Sequence, residues 1–399
     1  MESVMQRPTQ AVILAGGRGT RLLPITNTIP KPMIMFHGKP FLEYLIEMLK
    51  EQGFNRIILL LGYLPTVIMN YFGDGEKWDV NIEYSISPVE DETGTRLKLA
   101  QHSIDPIFLL MYCDNYWPMR FDDMWSQYIS ANVLAQLTVY KNVDGYTRNN
   151  LIIGNDGYVD LYDKGRTFPN LLGVDIGFVI LKNTVIDLLP NDNTSFESVV
   201  YAKLIEKHQL KTYVTNHRYY SVGSHERLPL TDKFLANAPV IFLDRDGVLN
   251  KKMPRAQYVR SWGEWEWLPG AKEALKLLKQ ANYKVILITN QPGIARGAMT
   301  ELDLQEIHEK MKKEIKDEGG DIDEIYYCPH NWDEGCECRK PQPGMLFHAQ
   351  RDHNIDLSRT YFIGDDERDT EAGIAAGCKT LSVSEDTPLI KIVQNMLGK

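Results

Sequence analysis

Short, uninterrupted apolar runs recur along this chain and alternate with stretches whose apolar residues have helical spacing. Ala11 to Leu14, Ile57 to Leu61 and Ile107 to Met111 are such runs. Between the first two, Phe41 to Lys50 carries apolar residues three and four positions apart. Continuous apolar strands that alternate with helices are typical of a largely parallel sheet covered on both faces. The pattern therefore predicts an α/β fold.

The same rhythm restarts in the second half of the chain. Val240 to Leu243, Val285 to Ile288 and Thr360 to Ile363 are predicted strands, and Ala271 to Ala281 is a predicted helix. A polar, proline-bounded stretch at 228–238 precedes them and is predicted to be a linker. We therefore expect two Rossmann-like three-layer α/β domains.

The predicted domains are residues 1–227 and residues 239–399, which suits a chain of 399 residues at roughly 100–200 residues per domain. The formal net charge of −9 argues against a nucleic-acid partner. No apolar run approaches the ~20 residues that span a bilayer, and residues 1–10 lack a secretory pattern. We expect a cytoplasmic protein with small-molecule partners and neither nucleic acid nor membrane, with homo-oligomerisation left open.

A glycine-rich loop follows the first predicted strand. Its candidate anion-binding residues are Gly16, Gly17, Gly19 and Thr20. Glycines let backbone amides approach an anion, and Arg21 and Lys31 add positive charge suited to a triphosphate. The loop is neither a Rossmann fingerprint, whose third glycine is replaced by Leu22, nor a Walker loop, which needs Gly-Lys-Ser/Thr.

The run from Gly16 to Pro32 resembles the signature of sugar-1-phosphate nucleotidyltransferases, and the likeness extends over the first predicted domain. The resemblance implies that a sugar phosphate oxygen attacks the α-phosphorus of a nucleoside triphosphate and pyrophosphate leaves. It also implies that Arg21 and Lys31 contact the triphosphate and the sugar phosphate. Asp114 is then the Mg²⁺ ligand, and Lys164 holds the sugar 1-phosphate.

Two positions depart from that family's pattern. Ser221 stands where a second metal-binding Asp is usual, and a hydroxyl is a poor Mg²⁺ ligand. The stretch that reads the base is reduced to Gly94–Leu97. Metal binding then rests on Asp114 alone or also on Asp175, which is equally a candidate turn residue. An inactive front half that only binds a nucleotide or sugar remains an alternative.

Paired carboxylates follow a strand in the second half of the chain. Asp244 can attack phosphorus, and Asp246 can protonate the leaving oxygen and later activate water. Carboxylates this close require a cation, so Asp244, Asp246 and Asp365 are the expected Mg²⁺ ligands, with added negative charge from Asp369.

Further elements complete a phosphate cradle. Thr289 and Asn290 follow the next strand, and Lys340 precedes a proline. Together with the carboxylates they resemble haloacid-dehalogenase-type phosphatases. The likeness implies that Asp244 is the nucleophile, Asp246 the general acid/base, Asp365 the Mg²⁺ ligand, and Thr289 and Lys340 the phosphoryl contacts.

Three thiols and an imidazole cluster in the same half and form a tetrahedral Zn²⁺ set: Cys328, His330, Cys336 and Cys338. With the segments 289–297 and 338–341, this loop resembles heptose 1,7-bisphosphate 7-phosphatases, and histidinol-phosphate phosphatases share it. Arg296 and Arg339 suit a second substrate phosphate and favour the bisphosphate. Asp366 departs from the lysine that is common there.

The fusion itself indicates a function, because removal of the 7-phosphate leaves the heptose 1-phosphate that a nucleotidyltransferase needs. We expect a bifunctional enzyme, a heptose-1-phosphate guanylyltransferase joined to the phosphatase, that makes an NDP-heptose, with GTP as the expected donor, for surface polysaccharide. Mg²⁺ at both active sites and a structural Zn²⁺ are the expected cofactors. The alternative is an active phosphatase, for heptose bisphosphate or histidinol phosphate, with a non-catalytic front half. The sequence leaves the anomer and the base open.

Overall fold

Residues 6–236 and 239–398 are described by the structure, a computed structural model of the chain. The chain divides into two units, Met1–Ala236 and Asn237–Lys399. Within the described residues, no helix is both long enough and apolar enough to cross a bilayer.

Thirteen strands lie in the described part of the N-terminal unit, residues 6–236. They are β1 (Gln10–Ala15), β2 (Met35–Phe36), β3 (Lys39–Pro40), β4 (Arg56–Leu61), β5 (Asn81–Ile86), β6 (Ile107–Tyr112), β7 (Asn115–Tyr116), β8 (Ala135–Tyr140), β9 (Leu151–Ile153), β10 (Val159–Tyr162), β11 (Val174–Lys182), β12 (Leu210–Thr215) and β13 (Tyr220–Ser221). Seven of them form one sheet in the order β12-β8-β11-β6-β1-β4-β5. Only β11 among these seven runs antiparallel to its neighbours.

Helices cover both faces of this sheet. They are α1 (Phe41–Glu51), α2 (Pro65–Phe72), α3 (Thr93–Leu99), α4 (Phe121–Ala131), α5 (Ala202–Glu206), which continues a π-helical turn at Glu197–Tyr201, and α6 (Leu228–Leu235). Strand β1 is buried along its whole length. Its residues alternate between two apolar cores, with Ala11 and Ile13 in one and Val12 and Leu14 in the other. A strand buried on both faces needs the continuous apolar run that the sequence shows.

The segment predicted as a linker is mostly helical, so that prediction is wrong for Leu228–Leu235. Helix α6 belongs to the N-terminal unit, where Phe234 stacks on Tyr220 with ring centroids 3.9 Å apart. Thr231 is fully buried and its Oγ1 donates a hydrogen bond to the carbonyl of Ser221 (2.8 Å). Pro229 lies in the first turn, where a helix tolerates proline because the missing N–H has no partner there. The proline that suggested a linker therefore begins a helix.

The C-terminal unit is built on a fully parallel sheet in the order β16-β15-β14-β17-β18. Its strands are β14 (Val240–Leu243), β15 (Lys284–Asn290), β16 (Glu324–Cys328), β17 (Tyr361–Gly364) and β18 (Lys379–Ser382). Its helices are α7 (Ala271–Gln280), α8 (Glu301–Asp317), α9 (Gly344–His353), α10 (Glu367–Ala376) and α11 (Leu389–Met396). The chain adds β15 and β16 on one side of β14 and β17 and β18 on the other. Ligands of open α/β sheets bind at the carboxyl ends of the strands where the order reverses in this way.

Candidate active sites

Three carboxylates meet at the carboxyl ends of β14 and β17. Ligand oxygens of Asp244, Asp365 and Asp369 lie within 4.8 Å of one another. The buried ammonium of Lys340 lies 2.8 Å from Asp244 Oδ1 and 2.6 Å from Asp369 Oδ1, and it donates to the carbonyl of Ile288. Burial and the neighbouring Asp369 raise the pKa of Asp244, whereas Lys340 acts to lower it. Lys252 adds a second ammonium at Asp365, so three carboxylates face two ammonium groups and the cluster keeps excess negative charge.

The same cluster fits a divalent cation. Oδ1 of Asp365 is buried and receives no hydrogen bond from the described residues, while Oδ2 lies 2.7 Å from Lys252 Nζ. Carboxylate oxygens are the ligands that Mg²⁺ prefers. The expected set named Asp246 beside Asp244 and Asp365, but the third member of the group is Asp369. Helix α10 places it, because Asp369 closes a capping box with Asp366.

The carboxylate of Asp246 is instead held by a separate set of donors. Arg245 donates to both of its oxygens (2.9 and 3.1 Å), Asn250 Nδ2 to Oδ1 (2.9 Å) and Gln291 Nε2 to Oδ2 (2.9 Å). Gln291 also donates to Thr289 Oγ1 (2.9 Å), which ties the candidate acid/base to the cradle. Sequence reasoning missed these supporting roles, because they arise where the segments after β14 and at the end of β15 meet.

The predicted phosphate cradle is assembled in the structure. Asp244, Thr289, Asn290 and Lys340 line one small cavity. The side chain of Asn290 accepts from the backbone N–H of Lys340 (3.0 Å) and donates to its carbonyl (3.1 Å). Asn290 therefore fixes the loop that carries Lys340.

A larger, basic cleft of about 830 Å³ adjoins Asp246. The cationic residues that line it include Lys252, Arg255, Arg296, Arg339 and Arg368. Tyr258 and Asn331 accept hydrogen bonds from Arg296 (2.6 and 2.9 Å). The two arginines predicted to suit a second phosphate, Arg296 and Arg339, therefore share one cleft with the acid/base candidate.

The predicted zinc ligands come together at the end of β16. Cys328 Sγ lies 3.6 Å from Cys336 Sγ and 3.3 Å from Cys338 Sγ, and His330 Nδ1 lies 3.2 Å from Cys338 Sγ. Tetrahedral Zn²⁺ with Zn–S bonds of about 2.3 Å separates its sulfurs by roughly 3.8 Å, so the four residues fit the metal. The carbonyl of Cys328 accepts from the N–H of Gln291 (2.7 Å), which joins this loop to the cradle.

In the N-terminal unit, the predicted residues gather at the carboxyl ends of β1 and β6. Lys31 Nζ lies 2.6 Å from Asp114 Oδ2, in a pocket of about 310 Å³ that Gly16 and Gly17 also line. Burial disfavours the charged form of both groups. The attraction between the two opposite charges outweighs this effect, so the pKa of Lys31 is raised and the pKa of Asp114 is lowered. The site therefore holds an ammonium and a carboxylate in contact.

Gly19 and Thr20 shape the loop. Gly19 adopts φ +66°, and its carbonyl accepts from Thr26 Oγ1 (3.0 Å). A side chain there would be strained, and its Cβ would lie 3.1 Å from Lys31 Cβ. Thr20 begins the 3₁₀ turn Thr20–Leu22 that carries Arg21.

Buried Arg96 supports the other side of the same loop, and sequence reasoning missed this role. It donates to the carbonyls of Leu61, Pro88 and Val89 and to Ser87 Oγ. A Cβ on Gly16 would lie 2.3 Å from its guanidinium carbon, so the close approach requires glycine.

Ser221 occupies the position expected of the second metal ligand. It pairs with Asn115 across β13 and β7, and the next N–H, of Val222, donates to the carbonyl of Asp114 (2.9 Å). A Cβ on Gly223 would lie 3.5 Å from Ser221 Oγ and 3.9 Å from Arg21 Nη2. Within the described residues, no group of three or more candidate metal ligands includes Asp114. A single carboxylate fits a Mg²⁺ ion that is also bound by substrate phosphates.

Lys164 belongs to a second polar cluster. Its Nζ lies 3.2 Å from Ser195 Oγ and 3.5 Å from Glu197 Oε2. Glu197 is buried and also accepts from Tyr112, a lining residue of the glycine-loop pocket. The sequence offered no signal for Glu197, because a lone Glu in an apolar segment has no motif.

Asp175 lies in strand β11, next to the point where the pairing of that strand with β8 shifts register, and not in a turn. It accepts from the N–H of Gly177 (2.8 Å) and from Tyr162 (3.2 Å). Burial and the charge of Glu197 raise the pKa of Asp175 to about 7. Within the described chain, Asp175 joins no group of three candidate metal ligands.

Comparisons with known proteins match the two halves of the chain to two different families. Residues 10–160 match the nucleotidyl transferase family, and residues 337–387 match the HAD-hydrolase-like family. D-glycero-beta-D-manno-heptose-1,7-bisphosphate 7-phosphatase of Bordetella bronchiseptica is 44% identical over 139 residues, which make up 35% of this chain and 76% of that protein. The phosphatase of the same name from Pseudomonas aeruginosa is 40% identical over 144 residues, 36% of this chain and 80% of that protein.

A solved structure also resembles more than half of the chain. HddC from Yersinia pseudotuberculosis, complexed with GMP-PN, is 28% identical and superposes with a TM-score of 0.50. The superposition covers 57% of this chain and 100% of that one.

Proposed function

The chain belongs to the D-glycero-beta-D-manno-heptose-1,7-bisphosphate 7-phosphatase family of HAD-like hydrolases and carries a nucleotidyl transferase domain in front, and from this premise we propose a bifunctional enzyme. The C-terminal unit removes the 7-phosphate of D-glycero-D-manno-heptose 1,7-bisphosphate. The N-terminal unit transfers a nucleotidyl group to the heptose 1-phosphate that remains. The product of the first reaction has the free anomeric phosphate that the second reaction requires.

The observation that carries the phosphatase assignment is the contact of Asp244 with Lys340 beside Asp365 and Asp369. A carboxylate oxygen of Asp244 attacks the 7-phosphorus, and the bond from phosphorus to the sugar oxygen breaks. Asp246 gives that oxygen a proton. Asp246 then takes a proton from water, which attacks the phosphoenzyme and releases phosphate. Mg²⁺ held by the carboxylates would neutralise the phosphoryl oxygens.

The basic cleft supports a substrate with two phosphates. Arg296 and Arg339 lie in the cleft next to Asp246, so a substrate bound at Asp244 extends toward them. Guanidinium groups bind phosphate through two parallel hydrogen bonds. Histidinol phosphate has a cationic amine instead of a second phosphate, and a cleft lined by lysine and arginines disfavours it.

For the transferase, the contact of Lys31 with Asp114 in the glycine-loop pocket carries the assignment. Lys31 and Arg21 neutralise the phosphates, and Lys164 holds the sugar 1-phosphate near Glu197. The sugar phosphate oxygen forms a bond to the α-phosphorus, and the bond to pyrophosphate breaks. Asp114 would hold Mg²⁺ together with the triphosphate, which would neutralise the leaving group.

GTP is the proposed donor. The pocket beside the glycine loop is lined by Glu90, Asp91 and Glu92. Guanine presents two N–H donors side by side on its Watson–Crick edge, and a carboxylate can accept both, whereas adenine presents a donor beside an acceptor. The likeness to HddC complexed with GMP-PN supports the same base. We also propose that the enzyme acts in the cytoplasm, where nucleoside triphosphates are made, and that the NDP-heptose serves surface polysaccharide such as lipopolysaccharide.

A second candidate function follows from Ser221. With a hydroxyl where a carboxylate is expected, the front half could bind a nucleotide or sugar without transferring it, beside an active phosphatase.

One experiment separates the two candidates. The protein is incubated with Mg²⁺, each anomer of heptose 1,7-bisphosphate and each nucleoside triphosphate in turn, and followed by ³¹P NMR. We expect inorganic phosphate first, then pyrophosphate and a diphosphate-linked sugar with GTP. Inorganic phosphate without pyrophosphate for any base would favour the binding module. No inorganic phosphate from either anomer would contradict the phosphatase assignment.

A further inference from the structure

Arg245 is one of the most deeply buried large side chains in the C-terminal unit, with 1% of its surface exposed. It stands between the candidate nucleophile and the candidate acid/base in the sequence, yet its guanidinium faces the acid/base. Nε and Nη2 lie within 3.2 Å of Asp246 oxygens, and Nη2 also donates to Gln291 Oε1 (3.1 Å). These contacts use one edge of the guanidinium fork.

The other edge meets a histidine from a different element. Nη1 of Arg245 lies 3.2 Å from Nε2 of His308, which is buried on α8. A guanidinium has donors only, so Nε2 of His308 must be the acceptor, and the ring must be neutral with its proton on Nδ1. Burial and the charge of Arg245 lower the pKa of His308 to about 3, which keeps the ring in that form at neutral pH.

We propose that His308 and Arg245 are positioning residues that fix the carboxylate of Asp246 for proton transfer to and from the substrate. The inference rests on the proposed phosphatase function. His308 holds one edge of the guanidinium, and the opposite edge holds Asp246 through charge-assisted hydrogen bonds, which are the strong and directional ones.

The local packing supports this role over simple charge neutralisation. Asn250 and Gln291 also donate to Asp246, so the carboxylate has a defined orientation with contacts on both oxygens. Loss of the acceptor on His308 would leave a buried Nη1–H donor without this partner, which is unfavourable and favours rotation of the guanidinium. A proton-transfer group works only when it is held within about 0.5 Å of its productive place.

The test uses the leaving group. A sugar alkoxide needs a proton from Asp246, whereas p-nitrophenolate leaves without one, so a misplaced Asp246 slows phosphorylation of Asp244 only with the sugar substrate. Breakdown of the phosphoenzyme needs Asp246 as a base with either substrate. We therefore compare heptose 1,7-bisphosphate with p-nitrophenyl phosphate in His308→Leu, which removes the acceptor, and His308→Gln, whose amide oxygen can accept.

For His308→Leu we expect kcat on the sugar bisphosphate to fall about 10- to 100-fold, part of the roughly 10²–10⁴ that acid–base catalysis contributes. KM should stay within about twofold, because Lys340 and Thr289 remain in place. With p-nitrophenyl phosphate, a burst of p-nitrophenolate should precede a slow steady state, and its amplitude should exceed that of wild type. His308→Gln should recover much of kcat, and Glu309→Gln, an exposed neighbour on α8, should behave as wild type.

The controls separate this inference from the proposed function. Asp246→Asn should reproduce the burst. His308→Leu should lower kcat less in the Arg245→Lys variant than in wild type, because the two residues act in one chain of contacts. An equal fall of kcat on both substrates without a burst, a defect in KM alone, or unchanged kinetics would overturn the inference. Wild-type protein that hydrolyses neither substrate would instead contradict the phosphatase function.

Discussion

At the scale of single residues, Lys340 is the side chain on which most of the phosphatase site depends. Its ammonium is shared by Asp244, Asp369 and a backbone carbonyl, and Asn290 holds its backbone on both sides. Buried carboxylates have lost the water that would stabilise their charge, so they depend on a neighbouring cation. Removing that cation leaves the carboxylates buried and uncompensated.

Replacing Lys340 by Met should therefore affect both activity and stability. We expect phosphate release to fall at least a hundredfold, because the phosphoryl group loses a fixed positive charge. Without divalent cation, the free energy of unfolding should fall by about 3–5 kcal/mol, because the carboxylates are left uncompensated. Phosphate release and chemical denaturation in EDTA measure the two effects. The exposed Lys313→Met on α8 is the matched control, and equal effects in both variants would contradict the assignment.

Asp175 predicts a pH dependence in the N-terminal unit. Its folded pKa of about 7 lies above the ordinary value of 3.8, so the folded state holds its proton more tightly than the unfolded state. Stability is then full below about pH 4 and declines as pH rises toward 7, by about 1.4 kcal/mol per pH unit at most. Asp175→Asn should remove this decline, since its Oδ1 can still accept from the N–H of Gly177 and its Nδ2 can donate to the hydroxyl of Tyr162.

Hydrogen exchange of the β11 amides at pH 5 and pH 8 measures this effect. At pH 8 the free energy of opening of these amides should be a few kcal/mol lower in wild type than in Asp175→Asn. The values of the two proteins should converge toward pH 4. Parallel pH profiles would show that Asp175 stays ionised in the folded protein.

Motif spacing predicted only some of the residues that form the two sites. Asp244, Thr289, Lys340 and the zinc ligands stand in recognisable order after strands, so their positions could be predicted. Arg245, His308, Glu197 and Arg96 carry no motif, because their roles depend on which loops the fold brings together. The sequence predicted the negative charge of Asp369 near the cation, whereas its place in the cluster instead of Asp246 depends on the start of α10, where it closes the capping box.

At the scale of elements, strands were easier to predict than connections. The runs at Val240–Leu243 and Ile57–Leu61 are uniformly apolar because both faces of their sheets are covered, so the pattern predicts the strands directly. Helix α6 was missed because its apolar stripe is short and begins at a proline, which in a sequence resembles a linker. The antiparallel direction of β11 has no sequence signal of its own.

The zinc loop connects two elements of the phosphatase site. Cys328 is the last residue of β16, and its carbonyl accepts a hydrogen bond from the N–H of Gln291. Arg339, the residue before Lys340, donates to the carbonyl of His330 (3.2 Å). Loss of a bound metal should therefore disturb the cradle, although none of the four predicted zinc ligands is among the residues that line the cavity of Asp244 and Lys340.

Cys336→Ser should lower the zinc content and the rate of phosphate release together. We expect nucleotidyl transfer from supplied heptose 1-phosphate to continue at the wild-type rate, because the glycine loop and Asp114 lie in the other unit. Metal analysis and ³¹P NMR on the same sample measure all three quantities. Full phosphatase activity in a zinc-free sample would show that the loop holds its shape without the metal.

At the scale of the whole molecule, the two proposed sites lie in separate units, each at the carboxyl ends of its own sheet. The two sites share one feature, a lysine in contact with an aspartate, Lys31 with Asp114 and Lys340 with Asp244. The second start of the strand–helix rhythm predicted two domains, with the first ending at residue 227 and the second beginning at residue 239, whereas the two units meet between Ala236 and Asn237.

Separate sites predict separable activities. Asp244→Asn should abolish phosphate release and leave nucleotidyl transfer from supplied heptose 1-phosphate intact. Lys31→Met should do the reverse, with inorganic phosphate still formed from the bisphosphate. Mixing the two variants should restore NDP-heptose synthesis from the bisphosphate, because the intermediate is a diffusible small molecule. Loss of both activities in either single variant would contradict independent sites.

The burial of β1 in both apolar cores has a consequence for how the protein is made. Ala11 pairs with Ile57 on one side and with Leu109 on the other, so β1 gains its second partner only after the ribosome has added β6. Until then an apolar strand with an unpaired edge waits in the nascent chain, a state that is prone to aggregation. The front unit should thus depend on chaperones during synthesis, and its yield should respond to translation speed across β4 to β6.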